Sequence, residues 1–386
     1  MEKVLITGGA GFIGSAIVKN LYGKFDLVVL DSFSPQIHGV DYKKSYLYQS
    51  IKDKCKIIQG NVCSREALQE ALQDVEYVIH LAAETGTGQS MYEINRYTET
   101  NILGTSNLLE TILREKLNIK KIILSSSRSV YGEGMYKCKD HGVVIPTSRV
   151  IKDMQMRDFA VKCPICNSEV KLCETKEDIP LAPISFYAYT KLAQEKMIET
   201  MCPTMEIPYT IFRYQNVYGA GQSLDNPYTG ILSIFSKLLL QNKNINIFED
   251  GEESRDFIHV SDIAKGTCCA LNNIKTDNQC INIGTGIKIS VIQLAETLRK
   301  LYNSTSQISI SGDFRKGDIR HNIADITKLK DLCGFLPTYT FEEGMDEFTK
   351  WVKLQNSEHE FDINDGKYEY SLEEMKKMGM LIKGKN

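Results

Sequence analysis

The feature that most narrows the fold is a strand running straight into a glycine turn. "KVLIT" at residues 3–7 is a short apolar run, Gly8, Gly9, Gly11 and Gly14 follow at once, and "FIGSAIVKNLYG" then shows helical spacing. Such a turn lets the chain reverse tightly, lets a pyrophosphate approach the backbone, and lets the helix pack closely on the sheet. The free N–H groups and positive dipole end of the helix favour an anion there. The next apolar run, "LVVLD", ends on Asp31. That is about twenty residues on, where a carboxylate accepts both hydroxyls of an adenosine ribose and repels a 2′-phosphate. Strand, turn, helix and acid together predict a dinucleotide site, with NAD favoured over NADP.

The rhythm continues. "CKIIQGN" (55–61), "EYVIHLAA" (76–83) and "KKIILSSS" (120–127) are further short apolar runs, separated by the helical stretches "SREALQEALQD" and "TNILGTSNLLETILREK". Alternation of this kind predicts a parallel sheet with helices on both faces. From Tyr131 to about Pro180 the pattern breaks into a segment rich in charge, Gly and Pro, read as an insertion over about 133–180. It resumes with the helix "FYAYTKLAQEKMIETM" (186–201) and the strand "YTIFRY" (209–214). The expected division is 1–214 for the nucleotide-binding domain and 215–386 mainly for a smaller substrate domain, with about 256–283 returning to the first. The tail after Trp351 is highly charged and holds one amphipathic helix candidate, "SLEEMKKMGMLIK".

A chain of 386 residues calls for one large or two joined domains. Its net charge of −3 offers no basic field for nucleic acid or an anionic membrane. The N-terminus lacks the pattern of a signal peptide, and no apolar run approaches the roughly eighteen residues of a membrane span. Eleven cysteines, an odd number, argue for thiols in a reducing compartment, and the expected location is cytoplasmic. Cys55, Cys63, Cys202, Cys268, Cys269, Cys280 and Cys333 read as small buried hydrophobes.

The chemistry is written in two places. "SSSRSVYG" follows the fifth strand, at the carboxyl edge where open parallel sheets bind ligands. Tyr187-Ala-Tyr-Thr-Lys191 lies on a helix, and its i, i+4 spacing puts Tyr187 and Lys191 on one face. A free tyrosine titrates near ~10 and is a poor base at neutral pH. A neighbouring ammonium and an oxidised nicotinamide would favour the phenolate, and a serine hydroxyl can hold the substrate oxygen in line. Tyr189 has no such partner, because Ala193 stands four residues on.

Taken in order, "TGGAGFIG", "HLAA", "NILGT", "SSSRSVYG", "YAYTK", "RYQNVYG" and "RDFIHVSD" resemble the extended short-chain dehydrogenase/reductase family, and within it the nucleotide-sugar epimerases and dehydratases. The resemblance implies a Rossmann-like doubly wound parallel sheet with a smaller mixed α/β substrate-binding domain. It implies Ser127 as the catalytic hydroxyl, Tyr187 as the acid/base and Lys191 as its partner. For the cofactor it implies Gly8, Gly11, Phe12, Ile13 and Gly14 at the turn, then Asn61 and Val62 by the adenine, where the family more often has Asp than Asn61. Leu81, Ala82, Ala83 and Ser125 would lie toward the nicotinamide, Asn101 near it as a buried polar anchor, and Tyr214 on the cofactor. For the substrate it implies Ser127, Arg128 and Asn216, with Arg255 and Arg315 gripping a diphosphate, since guanidinium forks suit phosphate oxygens. Phe248 would pack on the base, and Arg320 is a weaker phosphate candidate.

Family 4,6-dehydratases carry an Asp-Glu pair where this chain has Arg128 and Ser129, so elimination of water is disfavoured. The economical reading is C4 epimerisation of a nucleotide-diphosphate sugar through a transient 4-keto sugar, with NAD regenerated. "DSFSPQIHG", "ETGTGQSMYE" and "YGEGMYKCKDHGVV…KCPIC" bring the resemblance closest to the dTDP-L-rhamnose 4-epimerases. The alternatives are an epimerase of UDP-glucose or UDP-uronate type, a 4-keto-sugar reductase, and a non-catalytic NAD-binding regulator. By the same resemblance the helices beginning near Thr100 and Phe186 pair with their mates in a homodimer.

The insertion adds a separate element. Cys138-x-x-His141 and Cys163-x-x-Cys166 are two short knuckles that supply four N/S ligands, the complement of a closed structural zinc site. Cys173 is an alternative fourth ligand. A polar insert without a core of its own would draw its folding energy from the metal, giving a zinc-ribbon-like clasp that takes no part in the chemistry.

Overall fold

The computed structural model describes residues 1–224, 226, 230–358 and 366–384. Its centre is a seven-stranded sheet. The strands are β1 (Lys3–Thr7), β2 (Asp26–Asp31), β3 (Lys56–Gln59), β4 (Tyr77–His80), β5 (Lys121–Ser127), β6 (Tyr209–Tyr214) and β7 (Gln279–Ile283), in the spatial order β3-β2-β1-β4-β5-β6-β7. Every pairing is parallel. Side chains alternate across a strand, so in β1 Val4 and Ile6 enter one apolar layer and Leu5 the other. The first layer packs α1 (Phe12–Leu21) and the helix Val260–Cys268 on the sheet. The second packs α2 (Gly104–Arg114) and α3 (Phe186–Thr204). This is why the strands read as unbroken apolar runs. The order reverses between β1 and β4, which opens a crevice at their carboxyl ends.

Residues beyond β6 form a separate apolar cluster from the helices Ile231–Leu240, Val291–Tyr302 and Phe341–Ser357. The insertion is a three-stranded sheet, ordered Gly142–Val144, Tyr136–Cys138, Lys171–Leu172. It differs from the expectation of a coreless insert: Tyr136, Cys138, Val144, Val161 and Cys163 bury one another. Met154 and Phe159 also pack on Phe314 of the second half. The tail helix runs over Lys367–Lys377 (α4), not to residue 383. Gly379, at φ +65°, turns the chain out of the helix, and Leu381–Ile382 then pairs antiparallel with Phe314–Arg315. A second correction concerns the cysteines: Cys269 and Cys333, read as free thiols, form a disulfide. Among the described residues no helix is long and apolar enough to cross a membrane.

Candidate active site

The crevice widens into a cavity of about 600 Å³. Gly8, Gly11, Phe12, Ile13 and Gly14 form its floor. Gly8 sits at φ +68°, where a side chain is strained, and a Cβ at Gly14 would lie 2.5 Å from the Gly8 carbonyl oxygen. The helix therefore starts flush against the turn. Asp31, at the end of β2, lines the cavity. Its carboxylate accepts the N–H groups of Ala10 (3.0 Å) and Phe33 (2.9 Å), with His38 Nε2 3.9 Å away. Burial pushes its pKa up, and the two N–H groups and His38 oppose that. Asn61, Val62, Leu81, Ala82 and Ala83 complete this wall. A backbone-lined turn, a helix start and a ribose-spaced acid fit a bound dinucleotide.

Ser125, Ser127, Arg128, Tyr187, Lys191 and Tyr214 meet at the centre. Ser185 caps α3 by accepting the Ala188 N–H (3.2 Å), and the Tyr187 N–H donates to Ser90 Oγ (3.0 Å), so the start of the helix is fixed on the loop after β4. Lys191 Nζ donates to the Ser125 carbonyl (2.7 Å) and to Gln194 Oε1 (2.8 Å), and burial lowers its pKa to about 7. Burial raises the Tyr187 phenol. The opposing groups are the Ser127 hydroxyl and the Arg128 charge, not Lys191 as the spacing predicts.

At the far end stand Asn216, Phe248, Arg255 and Arg315. Arg128 Nε donates to Asn216 Oδ1 (2.8 Å). Burial and the neighbouring Arg255 lower the Arg128 pKa to about 9. Arg255 donates only to the carbonyls of Ser254, Ile319 and Arg320 in the bonds seen here, so it keeps its charge for a ligand. Arg315 bonds Asp318 (2.9 Å from Nε) and lies 5.4 Å above the Phe248 ring. Two guanidinium groups lining one cavity suit an anion of two charges.

Two predicted residues fall elsewhere. Asn101 is buried but does not line the cavity. It accepts the Glu84 N–H (2.7 Å) and donates to Thr190 Oγ1 (2.8 Å), tying the loop after β4 to α3. Arg320 turns away to pair with Glu249 and Asp250. Other lining residues were not singled out by the sequence. Gln215 is buried, and among the described residues neither its Nε2 nor its Oε1 has a partner. Glu253 is pushed up to about 7, chiefly by burial. Tyr368, Leu372 and Met375 arrive from the tail. Asp318 lies three residues after Arg315 in "RKGD".

In the insertion, the ligand atoms of Cys138, His141, Cys163 and Cys166 all lie within 4.8 Å of one another. Cys138 Sγ is 3.7 Å from Cys166 Sγ and 3.5 Å from His141 Nδ1, and Cys163 Sγ is 3.7 Å from the same nitrogen. Cys173 is outside the group, against the Lys171 carbonyl.

Fold and glycine-turn cavity together define an NAD-dependent enzyme of the dehydrogenase/reductase type. The chain belongs to the NAD dependent epimerase/dehydratase family, whose model matches residues 4–148 and 167–284. The gap in the match falls inside the insertion. The chain is similar to the dTDP-L-rhamnose 4-epimerase of Burkholderia thailandensis, 34% identical over 354 residues, which cover 91% of this chain and 95% of that protein. In structure it is similar to the UDP-glucose 4-epimerase of Thermotoga maritima with UDP-glucose (TM-score 0.74, 29% identity, 92% of this chain and 99% of the other). It is also similar to the UDP-glucuronic acid 4-epimerase of Bacillus cereus with UDP-glucuronic acid and NAD (TM-score 0.75, 27% identity, 91% and 99%).

Proposed function

We propose that this NAD-dependent epimerase inverts C4 of a nucleotide-diphosphate sugar, and that the sugar is a 6-deoxyhexose, as in dTDP-L-rhamnose. The observation that carries the reading is one cavity in which the glycine turn, the Ser127–Tyr187–Lys191 group and the Arg255–Arg315 pair all meet. NAD, held by the glycine turn and Asp31, would supply a reversible hydride acceptor for C4. Tyr187 takes the proton of the 4-hydroxyl and returns it to the oxygen. Ser127 holds that oxygen in line, and Lys191, anchored on Ser125 and Gln194, is the partner one helical turn from Tyr187 on α3. Arg128 and Ser129 leave no acid/base pair for elimination of water. Arg255 and Arg315 hold the diphosphate and Phe248 the base, so the sugar can turn at its anchored end. The helices α2 and α3 are the proposed homodimer contact.

Arg128 supports a second reading, a uronate substrate, because a buried cation beside Tyr187 suits a sugar carboxylate. NMR of purified protein incubated with dTDP-L-rhamnose and, separately, with UDP-glucuronate tests both. A C4 epimer of the first supports the main reading, one of the second alone supports the other, and neither overturns both.

The insertion is proposed to be a structural zinc clasp. A tetrahedral zinc with thiolates at ~2.3 Å has ligand–ligand edges of about 3.7 Å, and the sulfur–sulfur and sulfur–nitrogen distances match that. All four positions are protein ligands, which leaves no open site for chemistry. Metal analysis should find one zinc per intact chain, and none would overturn the clasp.

A further inference from the structure

The tail helix α4 lies beyond the family match, which ends at residue 284. It is charged along most of its length, yet Tyr368, Leu372 and Met375 follow one another at i, i+4 and i+7 and form a single stripe. That stripe lines the ligand cavity, while Glu369, Tyr370, Glu373 and Lys376 are exposed. An amphipathic helix normally buries such a stripe in a core. Here it faces the space a substrate would fill.

The helix is held near its C-terminal end. Tyr92 Oη donates to Glu374 Oε2 (3.0 Å), and a Cβ at Gly88 would stand 3.8 Å from Met375 Sδ. Beyond the helix, the Lys316 N–H donates to the Met380 carbonyl (2.8 Å), and Arg315 pairs with Leu381 across the short ladder. The loop that carries Gly88 and Tyr92 also carries Ser90, which accepts the Tyr187 N–H. Met375 therefore stands against the loop that holds the start of α3, and the strand after α4 beside Arg315, which sets the helix over the proposed sugar end and the strand by the proposed diphosphate end. The loop contributes Glu84, Thr85 and Thr87 to the same wall. Arg96 is committed to Glu84 (2.8 Å) and Glu93 (3.0 Å), which leaves no free cation from this loop for a carboxylate.

Sugars of this class differ at C5 in carrying a methyl, a hydroxymethyl or a carboxylate. Leucine and thioether surface receives a methyl without loss. A hydroxymethyl must surrender its bonds to water there, and a carboxylate pays far more. We infer that Leu372 and Met375 cap the sugar ring and select a C5 methyl, making the C-terminal helix the element that confines this enzyme to 6-deoxy sugars. The inference rests on the proposed C4 epimerisation.

The test compares dTDP-L-rhamnose with dTDP-L-mannose, which differs only by a hydroxyl at C6. An apolar pocket rejects one added hydroxyl by roughly 10–100-fold, and the native enzyme should show that ratio in kcat/KM. Leu372→Ser and Met375→Ser should each lower the ratio at least about fivefold, mainly through a higher KM for dTDP-L-rhamnose, with its kcat held. Leu372→Met should restore it. Tyr92→Phe should raise KM for both sugars together, because it loosens the helix and leaves the apolar stripe intact. A native ratio near one overturns the cap, as does a ratio that both serine variants leave unchanged while retaining native melting temperature. If serine variants do not fold, the Leu372→Met and Tyr92→Phe kinetics and the native ratio still decide. If neither sugar nucleotide is epimerised, the proposed reaction fails. The cap is then judged by the calorimetric affinities of the same two compounds: a preference for dTDP-L-rhamnose upholds it, and equal affinities overturn it.

Discussion

On one side of the cavity stand groups carried at the carboxyl ends of parallel strands: Gly8 after β1, Asp31 on β2, Leu81 after β4, Ser127 on β5 and Tyr214 on β6. On the other side stand Phe248, Arg255, Arg315, Leu372 and Met375, drawn from short strands, loops and the tail. The first wall is set by strand register, since each strand locks its neighbour's end at a fixed height. The second is set by docking, and its parts are held by side-chain bonds between segments far apart in the chain. The difference teaches that chemistry and specificity are supported by different forces here. A substitution in the first wall should strike turnover, and one behind the second should strike stability and substrate affinity.

The sharpest way to break that division is Tyr187→Phe. It removes a proton carrier from the first wall and disturbs little packing. General acid–base groups contribute about 10²–10⁴-fold, so turnover should fall by that factor, with bound NAD and melting temperature unchanged. Turnover within about threefold of native would place the proton transfer on another group.

The two walls were also unequally legible in the sequence. The first follows from local pattern: "TGGAGFIG" can serve little besides a tight strand-to-helix turn, and Tyr187 and Lys191 share a face because four residues make about one turn. The second wall left only isolated arginines, and family resemblance was needed to favour Arg255 and Arg315. Their twin, Arg320, went to an ion pair instead. The tail helix was visible as an amphipathic stripe, but nothing in "SLEEMKKMGMLIK" says that the stripe faces a ligand. Asn101 is the buried polar anchor expected, but a buried amide that ties two elements looks the same in sequence as one that touches a cofactor. The Cys269–Cys333 bond joins residues 64 apart and had no spacing signal. The four-residue cluster of the insertion was legible because each ligand pair sits in one short turn.

Behind the second wall lies Arg149 of the insertion, with a side chain only 4% exposed. It donates to Glu133 Oε1 (3.1 Å), to both Glu249 oxygens (2.6 and 2.8 Å) and to the Asp318 carbonyl (3.0 Å). Glu249 follows Phe248, and Asp318 bonds Arg315, so one guanidinium braces both residues of the proposed nucleotide grip. Arg149→Met leaves the buried Glu133 without its charged partner and Glu249 with Arg320 alone, which costs about 3–5 kcal/mol. Denaturant unfolding should show a loss of that order, with KM raised and kcat retained in the protein that stays folded. A kcat that falls as steeply as in Tyr187→Phe would erase the division between the walls.

The smallest effect expected comes from the first wall and tests its rigidity. His80, the last residue of β4, is 1% exposed, with Nδ1 2.7 Å from Thr7 Oγ1 and Nε2 2.9 Å from Thr105 Oγ1. Burial, and secondarily Lys191, push its pKa down to about 3. In the unfolded chain a histidine titrates near ~6.5. Between those values the unfolded chain binds the extra proton and the folded one does not, so stability is full above about pH 6.5 and falls as the pH drops toward 3. At pH 5 the loss from this residue is on the order of 2 kcal/mol, at ~1.4 kcal/mol per pH unit. His38, His259 and His321 are shifted in the same direction, and the measurement must therefore be a difference. His80→Gln should start less stable at pH 7 but lose less between pH 6.5 and 5, by about one proton's worth of slope. Parallel curves for the two proteins would mean that β4 yields enough to hydrate a charged imidazole, and that strand register holds the first wall less firmly than its packing implies.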